Sequence, residues 1–129
     1  MGEKTVVRTE AAPAPFQGAP YSQAIKAAGL VFVAGQVGLE PEHGELVGEG
    51  IAEQTEQVFD NLQAILEEAG SGLDRIVKTT VFLADFDDFQ AMNEVYGRRI
   101  GEGPPARATV EVSKLPSGAK VEIEAIAVA

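Results

Sequence analysis

The chain has 129 residues, 45% of them apolar, and a formal charge of −10 from 10 Lys and Arg against 20 Asp and Glu. That length and apolar content predict one folded domain over residues 1–129 rather than a disordered chain. The charge disfavours general attraction to nucleic acid or an anionic membrane, and the absence of Cys excludes disulfides, thiol catalysis and cysteine-held metal. His43 is the only histidine, so a multi-histidine zinc site cannot be built, and its setting in "EPEHGE" reads as a solvated turn. "MGEKTVVRTE" contains no apolar signal segment, and the longest strongly apolar run, "LVFVA", is far too short to span a bilayer. A cytoplasmic setting is the expectation.

The hydrophobic period then changes along the chain. "KTVV" (residues 4–7) alternates as a short first strand, and the Pro- and Ala-rich "AAPAPFQGAP" (11–20) is a connector. "YSQAIKA" (21–27) and "LVFVA" (30–34) predict two strands joined tightly at Ala28-Gly29. "GQVGLEPEHGELVGEG" (35–50) carries several glycines and a proline, the mark of a loop able to carry function. From Ile51 the period becomes helical. Val58, Leu62, Ile65, Leu66 and Ala69 recur at helical spacing until Gly70 closes the run.

"RIVKTTVFLA" (75–84) is β-branched and apolar at both parities, which predicts a strand covered on both faces. "DFDDFQAMNEVYGRRI" (85–100) opens on capping aspartates and sets Phe89, Met92, Tyr96 and Ile100 on one side of a second helix. "ARATVEV" (106–112) and "AKVEIEAIAV" (119–128) are the last strands. The order βββαβαββ predicts an α+β fold: a mixed sheet with both helices on one face. Its second face is apolar and calls for a partner, which predicts a homo-oligomer.

Within this pattern two charged residues stand out. Arg107 follows "PPA" at the mouth of the fifth strand and shares a face with Thr109 and Glu111. It can be a plain surface residue, the partner of an acid, or a receptor for a non-protein anion. Glu124 is followed on its own face by Ile126 and Val128, where a carboxylate is costly without a partner or a task.

"PPARATVEVSKLPSGAKVEIEAIAV" (104–128), with "PYSQAI", "GQVGLEPEHGELVGEGIAEQT" and "IVKTTVFLADFDDFQAMNEVY", closely resembles the RidA (YjgF) family of enamine/imine deaminases. The similarity extends over nearly the whole chain from Ala19. It implies a chorismate-mutase-like fold with the last strand central in the sheet, assembled as a homotrimer with sites in clefts between subunits. It also implies hydrolysis of 2-aminoacrylate, 2-aminocrotonate and related enamines or imines to 2-ketoacids and ammonia. No metal or organic cofactor is required, because the imine is already electrophilic.

On the resemblance, Arg107 binds the substrate carboxylate through its planar fork and Glu124 orients and activates water. Tyr21 and Asn93 shape the cleft, Gly35 brings a backbone N–H close to the ligand, and Thr109 offers its backbone and hydroxyl. Ala34 stands where the family commonly has Ser, removing one hydroxyl from the site. Three rival readings remain: a non-catalytic small-ligand or interaction trimer, an endoribonuclease, and a chorismate mutase. The net charge opposes the ribonuclease, and a dicarboxylate substrate of the mutase type would want more than one well-placed cation.

Overall fold

A computed structural model of the chain describes residues 2–129. Strands β1 (Thr5–Val7), β2 (Ala24–Ala27) and β3 (Leu30–Val37) precede helix α1 (Ile51–Glu68). Then come β4 (Ile76–Leu83), α2 (Phe89–Ile100), β5 (Ala106–Glu111) and β6 (Val121–Val128). The strands form one mixed sheet in the order β1-β2-β3-β6-β4-β5. Strand β6 inserts antiparallel between β3 and β4, and β5 joins β4 in parallel after the α2 crossover. This is the α+β mixed sheet that the order βββαβαββ implied, in the chorismate-mutase-like arrangement with a central last strand that the resemblance implied.

Local chemistry explains the boundaries. Ala28 (φ 54°) and Gly29 (φ 76°) both occupy the left-handed region, the geometry of a tight hairpin whose twist matches its strands. At the start of α1, Glu53 accepts a hydrogen bond from the Gly50 N–H at 2.8 Å. Its end is a Schellman turn: Gly70 sits at φ 82°, and the Gly70 and Ser71 N–H groups donate to Glu67 and Leu66 carbonyls. Asp85 caps the turn before α2 by accepting from the Asp87 N–H at 2.8 Å.

Two expectations shift at their edges. Strand β2 begins at Ala24 rather than Tyr21, because Gln23 is buried and serves the connector instead. Its amide donates to the carbonyls of Thr9, Ala12 and Pro13 and accepts from the Thr9 N–H, fixing a segment that has no ladder of its own. Strand β3 runs on to Val37 through a bulge.

Both helices cover one face of the sheet. Val58, Phe59, Leu62, Ile65 and Leu66 of α1 and Met92 of α2 meet Val81, Leu83, Val121 and Ile123 there, all fully buried. Each such side chain contributes about 1.5–3 kcal/mol of burial. Arg99 ties the helices together from above, bonding Glu56 and Asp60 at 2.8 Å each. The opposite face is open and carries Phe32 (41% exposed), Val110 (43%) and Val128 (39%) beside Lys78, Thr80, Phe82, Glu122, Glu124 and Ile126. Among the described residues, no helix is long and apolar enough to cross a membrane.

Candidate functional site

Arg107 is directly opposite Thr79 in the β4–β5 ladder, and Thr79 is fully buried beneath the helices. Arg107 therefore belongs to the helix-covered side, at the sheet edge that β5 forms. Its Nη1 donates to Asn93 Oδ1 of α2 at 2.7 Å. Its guanidinium carbon stands 4.7 Å from the Tyr96 ring centroid and 5.6 Å from that of Phe89. Among the described residues no carboxylate pairs with it; the arginine ion pairs run from Arg98 and Arg99 to Glu56 and Asp60. Thr109, on the same face of β5, holds a buried Oγ1 without a hydrogen-bond partner among the described residues. An orphaned hydroxyl beside a partly satisfied guanidinium is a place prepared for an outside acceptor.

The acidic part of the site lies elsewhere. Val33 pairs with Ala125 and Gln36 with Ile123, so Ala34 and Gly35 together oppose Glu124 alone in a β-bulge. The Ala34 N–H donates to the Gln23 carbonyl at 2.9 Å, continuing the β2–β3 ladder on the other side. The bulge lays Gly35 against the Glu122 carboxylate, which occupies the space that any Cβ at position 35 would need. The absence of a Cβ at Gly35 thus admits the Glu122 carboxylate at close range. A cavity of about 50 Å³ opens here, lined among others by Phe16, Tyr21, Gly35, Leu39, Pro116 and Glu122. The Tyr21 hydroxyl accepts the Phe16 N–H at 2.7 Å, which leaves its own proton available to a ligand.

The shielded acid is Glu122 rather than Glu124. Glu124 is exposed within the chain, because it projects from the open face opposite the bulge. Glu122 is half-buried, and desolvation, reinforced by the neighbouring charge of Glu124, pushes its carboxyl above the usual value of 4.5. The alternation "VEIE" put both acids on one face, and the apolar Ile126 and Val128 beyond Glu124 singled out Glu124; the burial runs the other way because it depends on where the β3 bulge falls. The aromatic floor under Arg107 was likewise visible only as a helix stripe.

The structure thus brings together Arg107, Asn93 and Thr109 at one sheet edge, and Tyr21, Gly35 and Glu122 on the opposite face. His43 takes part in neither. It lies in the turn after Glu40, whose carboxylate accepts the N–H groups of Glu42, His43 and Glu45. A larger open cleft of about 1010 Å³ runs along β1 and the connector and shares Tyr21 and Gln23 with the small cavity.

An edge cation resting on aromatic rings and a shielded carboxylate across the sheet thus stand on a chorismate-mutase-like scaffold. Residues 9–129 match the family described as Endoribonuclease L-PSP. A RutC family protein of Pyrococcus abyssi is 54% identical over 124 residues, covering 96% of each chain. The 2-iminobutanoate/2-iminopropanoate deaminase of Mus musculus is 46% identical, covering 97% of this chain and 91% of its own. A crystal structure from Entamoeba histolytica, described as a putative endoribonuclease L-PSP, superposes with a TM-score of 0.93 at 45% identity, covering 98% of this chain and all of the other. This chain belongs to the RidA (YjgF) family.

Proposed function

We propose that the chain is a hydrolytic deaminase of reactive 2-enamine and 2-imine acids, of the 2-aminoacrylate and 2-aminocrotonate type. It acts as a homotrimer with sites between subunits. The observation that carries this reading is the placement of Arg107 and Glu122 on opposite faces of one sheet. No single chain can close both around one small molecule. A neighbouring copy seated on the open apolar face supplies the missing half, and heterologous contacts of this kind close into rings.

In such a cleft the guanidinium takes the substrate carboxylate through two parallel N–H donors, with Asn93 holding Nη1 and Thr109 Oγ1 available to a further oxygen. Glu122 accepts a proton from water as the water oxygen bonds to C2 of the imine, and the C=N π pair moves to nitrogen. The same carboxyl returns the proton to nitrogen. The carbinolamine hydroxyl then passes its proton to nitrogen through the same carboxylate, the oxygen lone pair forms the C=O bond, and the C–N bond breaks to release ammonia and the 2-ketoacid. A carboxyl raised above its usual value by desolvation and by the charge of Glu124 is a stronger base than an exposed carboxylate, which suits the first transfer. Glu124, assigned the water on the resemblance, has in this reading the lesser task of raising Glu122.

The test couples a serine or threonine dehydratase to the protein and follows ketoacid release. Arg107→Ala and Glu122→Gln are each expected to be inactive as pure trimers. Mixing the two by denaturation and refolding should restore about a quarter of the sites, since each cleft draws one half from each neighbour. A protein that scatters light as a stable monomer, or a mixture that stays inactive while its subunits exchange, overturns the shared site. The family description also names a ribonuclease. At a net charge of −10, saturable RNA cleavage at moderate salt is not expected.

A further inference from the structure

Four rings and cations form a row through the helical layer. Arg99 lies over Phe59 at 5.7 Å, Phe59 meets Tyr96 edge-on at 5.5 Å and 80°, and Arg107 rests on Tyr96 at 4.7 Å. The Tyr96 hydroxyl is tied to Thr79 Oγ1 at 2.6 Å in a fully buried bond, although Thr79 is the residue directly opposite Arg107 in the ladder. Arg107 has a long flexible stem and, among the described residues, only one side-chain hydrogen bond, to Asn93. A single bond fixes one nitrogen but not the plane of the fork.

We propose that Tyr96 is a positioning residue for the site. Its ring sets the plane of the Arg107 guanidinium, so the two outward donors face a planar carboxylate, and Phe59, packed edge-on, holds the ring in register. Tyr96 touches no substrate atom; it acts through Arg107. Stacking on a ring face orients a guanidinium by its quadrupole while leaving the in-plane N–H groups unspent. An acid partner would have consumed those donors and competed with the ligand. The kinetic part of this inference rests on Arg107 being the carboxylate receptor proposed above, whereas its structural part does not.

Two measurements test it. The first uses the unaltered protein: in NMR, the Arg107 Nε–H should be ordered and shifted by the ring current, unlike that of exposed Arg8. An Arg107 signal as mobile as that of Arg8 overturns the platform, whatever the protein's activity. The second compares Thr79→Val/Tyr96→Phe with Thr79→Val/Tyr96→Leu, so that neither variant leaves a buried hydroxyl unpaired. The phenylalanine variant should hold KM in the dehydratase-coupled assay within about threefold of the parent, and the leucine variant should raise it about tenfold with little change in kcat, the scale of one desolvated cation–π contact. Equal KM values in the two variants, or a fall confined to kcat, overturn the positioning role. A parent without turnover but with an ordered, ring-shifted Arg107 overturns the proposed function and leaves the platform standing.

Discussion

Arg107 and Glu122 share one sheet, yet their surroundings work in opposite senses. Around Arg107, Asn93, Tyr96 and Phe89 supply an amide oxygen and two ring faces, all of which favour the cation without neutralising it. Around Glu122, apolar neighbours and the like charge of Glu124 penalise the anion. One region favours its charge and the other penalises it, which in the proposed reading leaves Arg107 to a ligand carboxylate and makes Glu122 the proton acceptor. The contrast teaches that the two functions need different microenvironments, and opposite faces of a sheet keep them apart within one chain.

The comparison is broken most severely at the base. Glu122→Gln keeps the shape, removes the proton acceptor and should lower kcat by roughly 10²–10⁴-fold. Calorimetry should still detect binding of an unreactive 2-ketoacid to this variant and none to Arg107→Ala. If Glu122→Gln is fully active and Glu124→Gln is not, the water belongs to Glu124, as the resemblance had it.

A smaller effect follows at the cation. Arg107→Lys keeps the charge but loses the planar fork and its stacking, and one charged hydrogen bond is worth about 1.5–3 kcal/mol. A drop in kcat/KM of roughly 10- to 100-fold is expected. An Arg107→Lys variant with unchanged kcat/KM would mean that a point charge suffices.

Gly35→Ala probes the acidic region through its packing. The new methyl collides with the Glu122 carboxylate and must displace it, since the backbone of the bulge is held by Gln23. The variant should fold, lose about 1–3 kcal/mol of stability and fall in kcat more than in KM. Wild-type kcat would show that the position of this carboxylate is immaterial.

Glu124→Gln should have the mildest effect on turnover. Removing the like charge lowers the Glu122 pKa toward 4.5, so the acid limb of the kcat–pH profile moves to lower pH with the plateau retained. An unmoved limb uncouples the two acids. Away from the site, the Arg98 and Arg99 guanidinium groups hold Glu56 below its usual 4.5. Its stabilisation is present above that value and is lost as pH falls through the lowered one. The thermal midpoint of Glu56→Gln should therefore match wild type in acid and fall modestly behind near neutrality, because the pair is partly exposed.

Much of this was legible in the chain itself. The alternation in "KVEIEAIAV", the period of Val58 to Leu66 and the punctuation at Ala28-Gly29 and Gly70 determined the elements and which side of each faces the core. They suffice because strand and helix periods are local properties of the backbone. "PPARATVEV" likewise announced a cation that had to be accounted for. Tertiary structure alone decided three things. The bulge at Ala34-Gly35 shields Glu122 and leaves Glu124 in the open, although the strand pattern had singled out Glu124. The α2 crossover carries Asn93, Tyr96 and Phe89 beneath Arg107 from more than a helical turn away in sequence. The sheet order puts Arg107 and Glu122 on opposite faces. Each of these depends on which strands pair and where a ladder slips, and those are set by the packing of the whole core rather than by any single stretch of residues.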